Sequence, residues 1–188
     1  TPMTSTAAVP DAAGARSATD QVAPAEGTLA ADSAICDVTD AAITWGVKES
    51  LRSYISGTIA NGEWTVGDGA TYETPNFGWT AGSGKLDAGE GALAFDGTLR
   101  FTGHDGILDT TLNGLEIVFD ASTTATIVFD VSGTTQEGLP VDAAGVDFAT
   151  IDVSAITVDD GTALLEGAPV TLTEAGSDAF GTYPAGEE

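Results

Sequence analysis

Histidine, cysteine, serine and paired carboxylates are the side chains that most often do chemistry, and here their numbers narrow the choices at once. The 188-residue chain has one histidine, His104, and one cysteine, Cys36. A single histidine excludes HExxH zinc sites and multi-histidine metal sites. A single cysteine leaves no intrachain disulfide, no CxxC zinc pattern and no redox pair. A Ser-His-Asp triad would have to use His104, but no GxSxG presents a serine nucleophile. Gly82-Ser83-Gly84-Lys85 only superficially resembles a phosphate loop, because the first glycine is misplaced and Leu86 follows the lysine where Ser or Thr is required. Asp-Gly pairs at 68–69, 96–97, 105–106 and 160–161 form no D-x-[DN]-x-[DN]-G calcium series, and turn chemistry accounts for them better. Two carboxylates at glycosidase spacing stay open in a chain with 29 acidic residues.

Two stretches stand apart from this background. One is Trp45-Gly46-Val47-Lys48-Glu49-Ser50-Leu51-Arg52-Ser53-Tyr54-Ile55, and the other is Phe101-Thr102-Gly103-His104-Asp105-Gly106-Ile107-Leu108-Asp109. With the closing stretch from Leu172 to Gly186, which contains Phe180, they resemble the HtaA-type haem-transport domain of Gram-positive cell surfaces. The likeness covers roughly residues 38–186. It implies a β-sandwich with a small helical part, exported and often tethered, that binds ferric haem and passes it towards a membrane transporter. It further implies that Tyr54 ligates the iron, that His104 hydrogen-bonds to the tyrosine oxygen, and that Phe180 packs against the porphyrin.

The implied chemistry is coherent. A phenolate is a hard anionic oxygen donor that suits ferric iron. Free tyrosine has a pKa near ~10, so ligation at neutral pH needs the ferric charge to favour the phenolate, with His104 to orient and tune it. Ser50, one turn before Tyr54 on the same helix face, is placed to reach a haem propionate. Lys48 and Arg52 project elsewhere and read as a solvated face. Taken singly, Tyr54 would be a core tyrosine, His104 a turn histidine and Phe180 a core aromatic. The joint pattern points to the ligand.

The elements that must position these residues are mainly strands. Val47, Leu51, Tyr54, Ile55, Thr58 and Ile59 recur with helical spacing, predicting one short helix over about 46–58, with Thr44 as its cap and Gly57 or Asn61-Gly62 as its end. Beyond Gly62 the pattern predicts strands at about 92–95, 98–103, 107–112, 115–119, 125–131, 146–157 and 169–173. An antiparallel β-sandwich is the expected architecture. Asp96-Gly97 predicts a two-residue hairpin turn that would pair Ala94 with Leu99 and Ala92 with Phe101.

Residues 1–32, rich in Ala, Thr, Pro and Gly, read as a flexible linker or tail, with the folded domain over 33–188. The net charge of −24, with only five basic residues, excludes nucleic acid as a partner. The expected partners are haem and other haem-uptake or haem-carrying host proteins, at an extracellular, secreted or surface-anchored location. Nothing in the sequence sets the oligomeric state. An adhesive or structural β-sandwich module without a small ligand is the main alternative, and a carbohydrate-active enzyme is the other.

Overall fold

The computed structural model describes residues 35–181. The tail expected at 1–32 and the closing Tyr183-Pro184-Ala185-Gly186 lie outside the described residues. Alternation of apolar and polar side chains builds the centre of the sheet. In β8 (Thr124–Thr134), Ala125, Ile127, Phe129 and Val131 are buried, as expected for a strand with one face in a core. Its antiparallel neighbours are β7 (Leu108–Asp120) and β9 (Pro140–Asp152). β7 is continuous where the sequence pattern suggests two strands. Its register slips between Asn113 and Glu116, and Gly114, at φ 62°, absorbs the slip as a bulge. The inward set therefore changes from Leu108, Thr110 and Leu112 to Leu115 and Ile117, which breaks the strict alternation in the sequence.

Along its other edge β7 is long enough to pair with two strands. Its first half pairs with β6 (Thr98–Gly103) and its second half with β5 (Glu90–Ala94). β5 and β6 thus run end to end in one direction, and the hairpin expected at Asp96-Gly97 does not form. Ala94 pairs with Glu116 and Ala92 with Val118, while Leu99 pairs with Leu112 and Phe101 with Thr110. Gly97 serves packing instead: it sits at φ 148°, and a Cβ there would lie 2.7 Å from the buried Trp79 ring.

The remaining strands complete one curled, antiparallel, ten-stranded sheet among the described residues. β2 (Glu63–Gly67) pairs with β6, and β4 (Asn76–Asp87) pairs with β1 (Cys36–Trp45), β3 (Thr71–Glu73) and β5. Gly82-Ser83-Gly84-Lys85 lies inside β4, so it is strand and not a phosphate-binding loop. β9 begins and ends earlier than the expected 146–157 strand. After it come a separate hairpin of β10 (Thr157–Asp159) and β11 (Thr162–Leu164), then β12 (Val170–Leu172), which pairs with β9. The curl brings Trp45 at the end of β1 to Phe148 of β9, with ring centroids 6.2 Å apart, and Trp79 to Phe129, 6.1 Å apart. Among the described residues no helix is long and apolar enough to cross a membrane.

Two short helices lie against this sheet. α1 (Glu49–Ser56) is shorter than the expected 46–58. Thr44 cannot cap it, because Thr44 is in β1 paired with Gly78. Val47 at φ 43° and Lys48 in extended conformation hold the chain out of helical geometry before Glu49. Gly57 ends the helix, as expected, with its N–H donating to the Tyr54 carbonyl. α2 (Glu174–Phe180), which hydrophobic periodicity does not reveal, is capped by Thr173, whose hydroxyl oxygen accepts from the Gly176 N–H at 3.0 Å.

Candidate functional site

Burial of Leu51 and Ile55 docks α1 on the core, and this fixes the directions of its other side chains. Ser50 and Tyr54, one turn apart, share a flank on which Ser50 is exposed and Tyr54 half-buried. Lys48, Glu49 and Arg52 lie on the other flank and line a groove of about 310 Å³ whose remaining wall is largely apolar. Neither Tyr54 nor His104 lines that groove.

His104 reaches Tyr54 from the far end of β6. A single 3-10 turn, His104–Gly106, follows that strand, and both His104 (φ 51°) and Asp105 (φ 56°) occupy the left-handed region, an uncommon one for residues with a Cβ. The His104 backbone N–H donates to the Ala60 carbonyl at 2.6 Å, tying the turn to the segment that leaves α1. Asp109, in the same sequence motif, has a different partner. It forms a two-pronged ion pair with Arg100 across β6 and β7, at 2.6 and 2.7 Å. The Arg100 hydrogen bonds hold its carboxyl below the ordinary carboxylate value.

At the centre, the Tyr54 hydroxyl is in hydrogen-bonding contact with His104 Nε2 across fifty residues of sequence. It also donates to Gln136 Oε1 at 2.8 Å. A phenol has one proton to give, so with that proton directed at Gln136, the Nε2–H form of His104 completes the set by donating to the same oxygen. Burial, by removing water from the charged form, raises the Tyr54 pKa above its ordinary value.

Sequence reasoning missed Gln136. It follows β8 in a tight loop where Thr135 is buried and its hydroxyl oxygen accepts from the N–H groups of Glu137 and Leu139, both at 3.3 Å. The Gln136 backbone N–H donates to the Phe180 carbonyl at 3.3 Å. Nothing local in Thr134-Thr135-Gln136-Glu137-Gly138 singles out the amide; only the three-dimensional contact with Tyr54 does.

Phe180 itself is buried at the end of α2, its ring edge-on to Phe101 and Phe148 at 5.5 and 5.7 Å. Its ring borders the groove on the Lys48–Arg52 flank, whereas its carbonyl anchors Gln136. The structure therefore brings Tyr54 and His104 together directly, carries Ser50 beside them on the helix, and links Phe180 to them through Gln136. Chemically, the cluster offers one oxygen donor on a partly exposed flank, supported by an imidazole and an amide.

The fold has similar counterparts among known proteins. Among solved structures, the chain is similar to the C-terminal domain of HtaA from Corynebacterium glutamicum, with 34% identity and a TM-score of 0.71 over 80% of this chain and 92% of that one. It is also similar to the N-terminal domain of the same protein, at 28% identity and a TM-score of 0.65 over 80% and 91%. A third similar structure is the heme-binding protein HtaB of that organism, at 26% identity and a TM-score of 0.62 over 81% and 91%. No curated protein sequence matches. The family model described as Htaa matches residues 40–188, which include Tyr54, His104 and Gln136, and the chain belongs to the HtaA family.

Proposed function

We propose that this domain binds ferric haem, with Tyr54 as the iron's oxygen ligand and His104 as its hydrogen-bonding support, and passes it along an extracellular haem-uptake relay. The role is binding and transport, not catalysis. The observation that carries the reading is the contact between Tyr54 and His104, made by a helix and a strand-end turn fifty residues apart. Membership of the HtaA family supports it, as does the similar heme-binding protein HtaB.

The residues fit the group. Bound ferric haem supplies a Lewis-acidic cation that favours a phenolate over a phenol. The chain supplies the rest. Tyr54 presents its oxygen from a partly exposed flank, and His104 donates from Nε2 to that oxygen once the phenol proton has left to solvent. Ser50, exposed one turn earlier, offers a hydroxyl to a propionate. Phe180, buried behind the site, supports it through its carbonyl, which holds the Gln136 main chain.

Titration with ferric haemin tests this directly. The expected result is a saturable one-to-one Soret change with a tyrosinate-type spectrum, abolished in Tyr54→Ala. In His104→Ala the affinity is expected to fall about 10–100-fold, the usual effect of removing a hydrogen-bonding partner of a metal ligand. A wild-type protein that stays colourless and ignores haemin would overturn the reading and favour an adhesive module.

A further inference from the structure

Gln136, the second partner of the Tyr54 oxygen, has no role in the haem reading as stated, although its loop is fixed on both sides. Gln136 accepts the phenol proton through Oε1 at 2.8 Å. Its main chain is fixed to the end of α2 through the Phe180 carbonyl, and the neighbouring Thr135 braces the loop from inside. An amide differs from any other acceptor that could stand there because its two ends are nearly isosteric: one accepts hydrogen bonds and the other donates them.

Resting on the proposed ferric-haem site, we propose that Gln136 is a positioning residue for Tyr54, accepting from the phenol through Oε1 in the metal-free protein and donating through Nε2–H to the same oxygen when it ligates iron. The reason is electrostatic. When the phenol proton leaves to solvent, Oε1 would face an oxygen carrying negative charge, and the two acceptors would repel. A half-turn of the amide about its last side-chain bond replaces that repulsion with a charge-assisted hydrogen bond. No backbone movement is needed, so the loop stays braced. His104 Nε2–H and Gln136 Nε2–H would then both donate to the phenolate oxygen that Tyr54 would offer to the iron. Donors on a phenolate lower the energy of its electrons, so Gln136 tunes how strongly Tyr54 binds and how readily it lets go.

Gln136→Glu isolates the donor role, because the carboxylate keeps the size and the acceptor but cannot donate at neutral pH. Gln136→Leu removes both functions. Each variant is compared with wild type for thermal midpoint, haem dissociation rate and the energy of the phenolate-to-iron charge-transfer band. In Gln136→Glu the expectation is haem loss about ten-fold faster or more, the scale of a lost hydrogen bond to a charged group, with the band moved to lower energy and the thermal midpoint little changed. Gln136→Leu should move both readouts in the same direction. If wild type binds haem with a tyrosinate spectrum and Gln136→Glu matches it in rate and band, this inference is overturned while the haem reading stands. If wild type does not bind haem, both fall.

Discussion

At Tyr54 the decisive fact is that burial raises the pKa of a group proposed to act as an anion. The raised value means that the folded protein holds the proton more tightly than the unfolded chain does. Folding stability from this group is therefore fully present below the ordinary tyrosine value near ~10 and is lost as pH rises through the folded value. Alkaline titration of the metal-free protein should show a late tyrosine step that Tyr54→Phe removes. At pH 7 the same preference makes haem binding release about one proton per site, so affinity should fall as pH is lowered; unbuffered calorimetry or a pH-indicator dye reads the release. The contact between Tyr54 and His104 was legible in the sequence because each lies in a recognisable stretch. Gln136 was not, since one amide in a polar loop has no pattern to betray it. Phe180 was expected to pack its ring against the porphyrin; its ring is instead buried against Phe101 and Phe148, and its connection to Tyr54 runs through its carbonyl and Gln136, which no sequence pattern shows.

The elements show why spacing alone misleads. Asp160-Gly161 joins β10 to β11, with Asp159 paired to Thr162 and both turn residues at positive φ, and Ala88-Gly89 joins β4 to β5 in the same way. Asp96-Gly97 has the same turn chemistry, yet the chain does not reverse there, because β5 and β6 each find a partner along β7. Long-range pairing overrides the local signal, which a reading of neighbours along the chain cannot register. The early strands were hidden for another reason: alternation runs only over Ala41, Ile43 and Trp45 in β1 and over Phe77 and Trp79 in β4, where glycines at 78, 82 and 84 weaken the strand signal. α2 sits so close to β9 that a Cβ on Gly176 would lie 2.0 Å from the Phe148 carbonyl oxygen. Gly176→Ala should therefore push α2 from the sheet and loosen the Phe180 anchor of Gln136. Ile55→Ala, which empties a fully buried position under α1, should cost about 2–5 kcal/mol. Chemical denaturation measures both, and Gly176→Ala should also speed haem loss.

The whole molecule works against the capture it is proposed to perform, because a net charge of −24 repels a ligand bearing two propionates. Screening over a Debye length of ~8 Å at physiological salt softens that repulsion. The haem association rate should therefore rise with ionic strength, and stopped-flow measurements between low and physiological salt would show the slope. A fall with salt would mean that local cations, not the overall charge, govern the encounter. The sheet as a whole has one further property. Treated as a graph of hydrogen-bonded strands, it has β7 as a cut vertex: deleting it leaves β1, β3, β4 and β5 in one component, β2 and β6 in a second, and β8, β9 and β12 in a third. That vertex lies near mid-chain and is long enough, at 13 residues, to pair with both β5 and β6. Neither the first half of the chain nor the second can assemble the sheet alone, so a nascent chain must carry its early strands incomplete until Leu108–Asp120 emerges to join them.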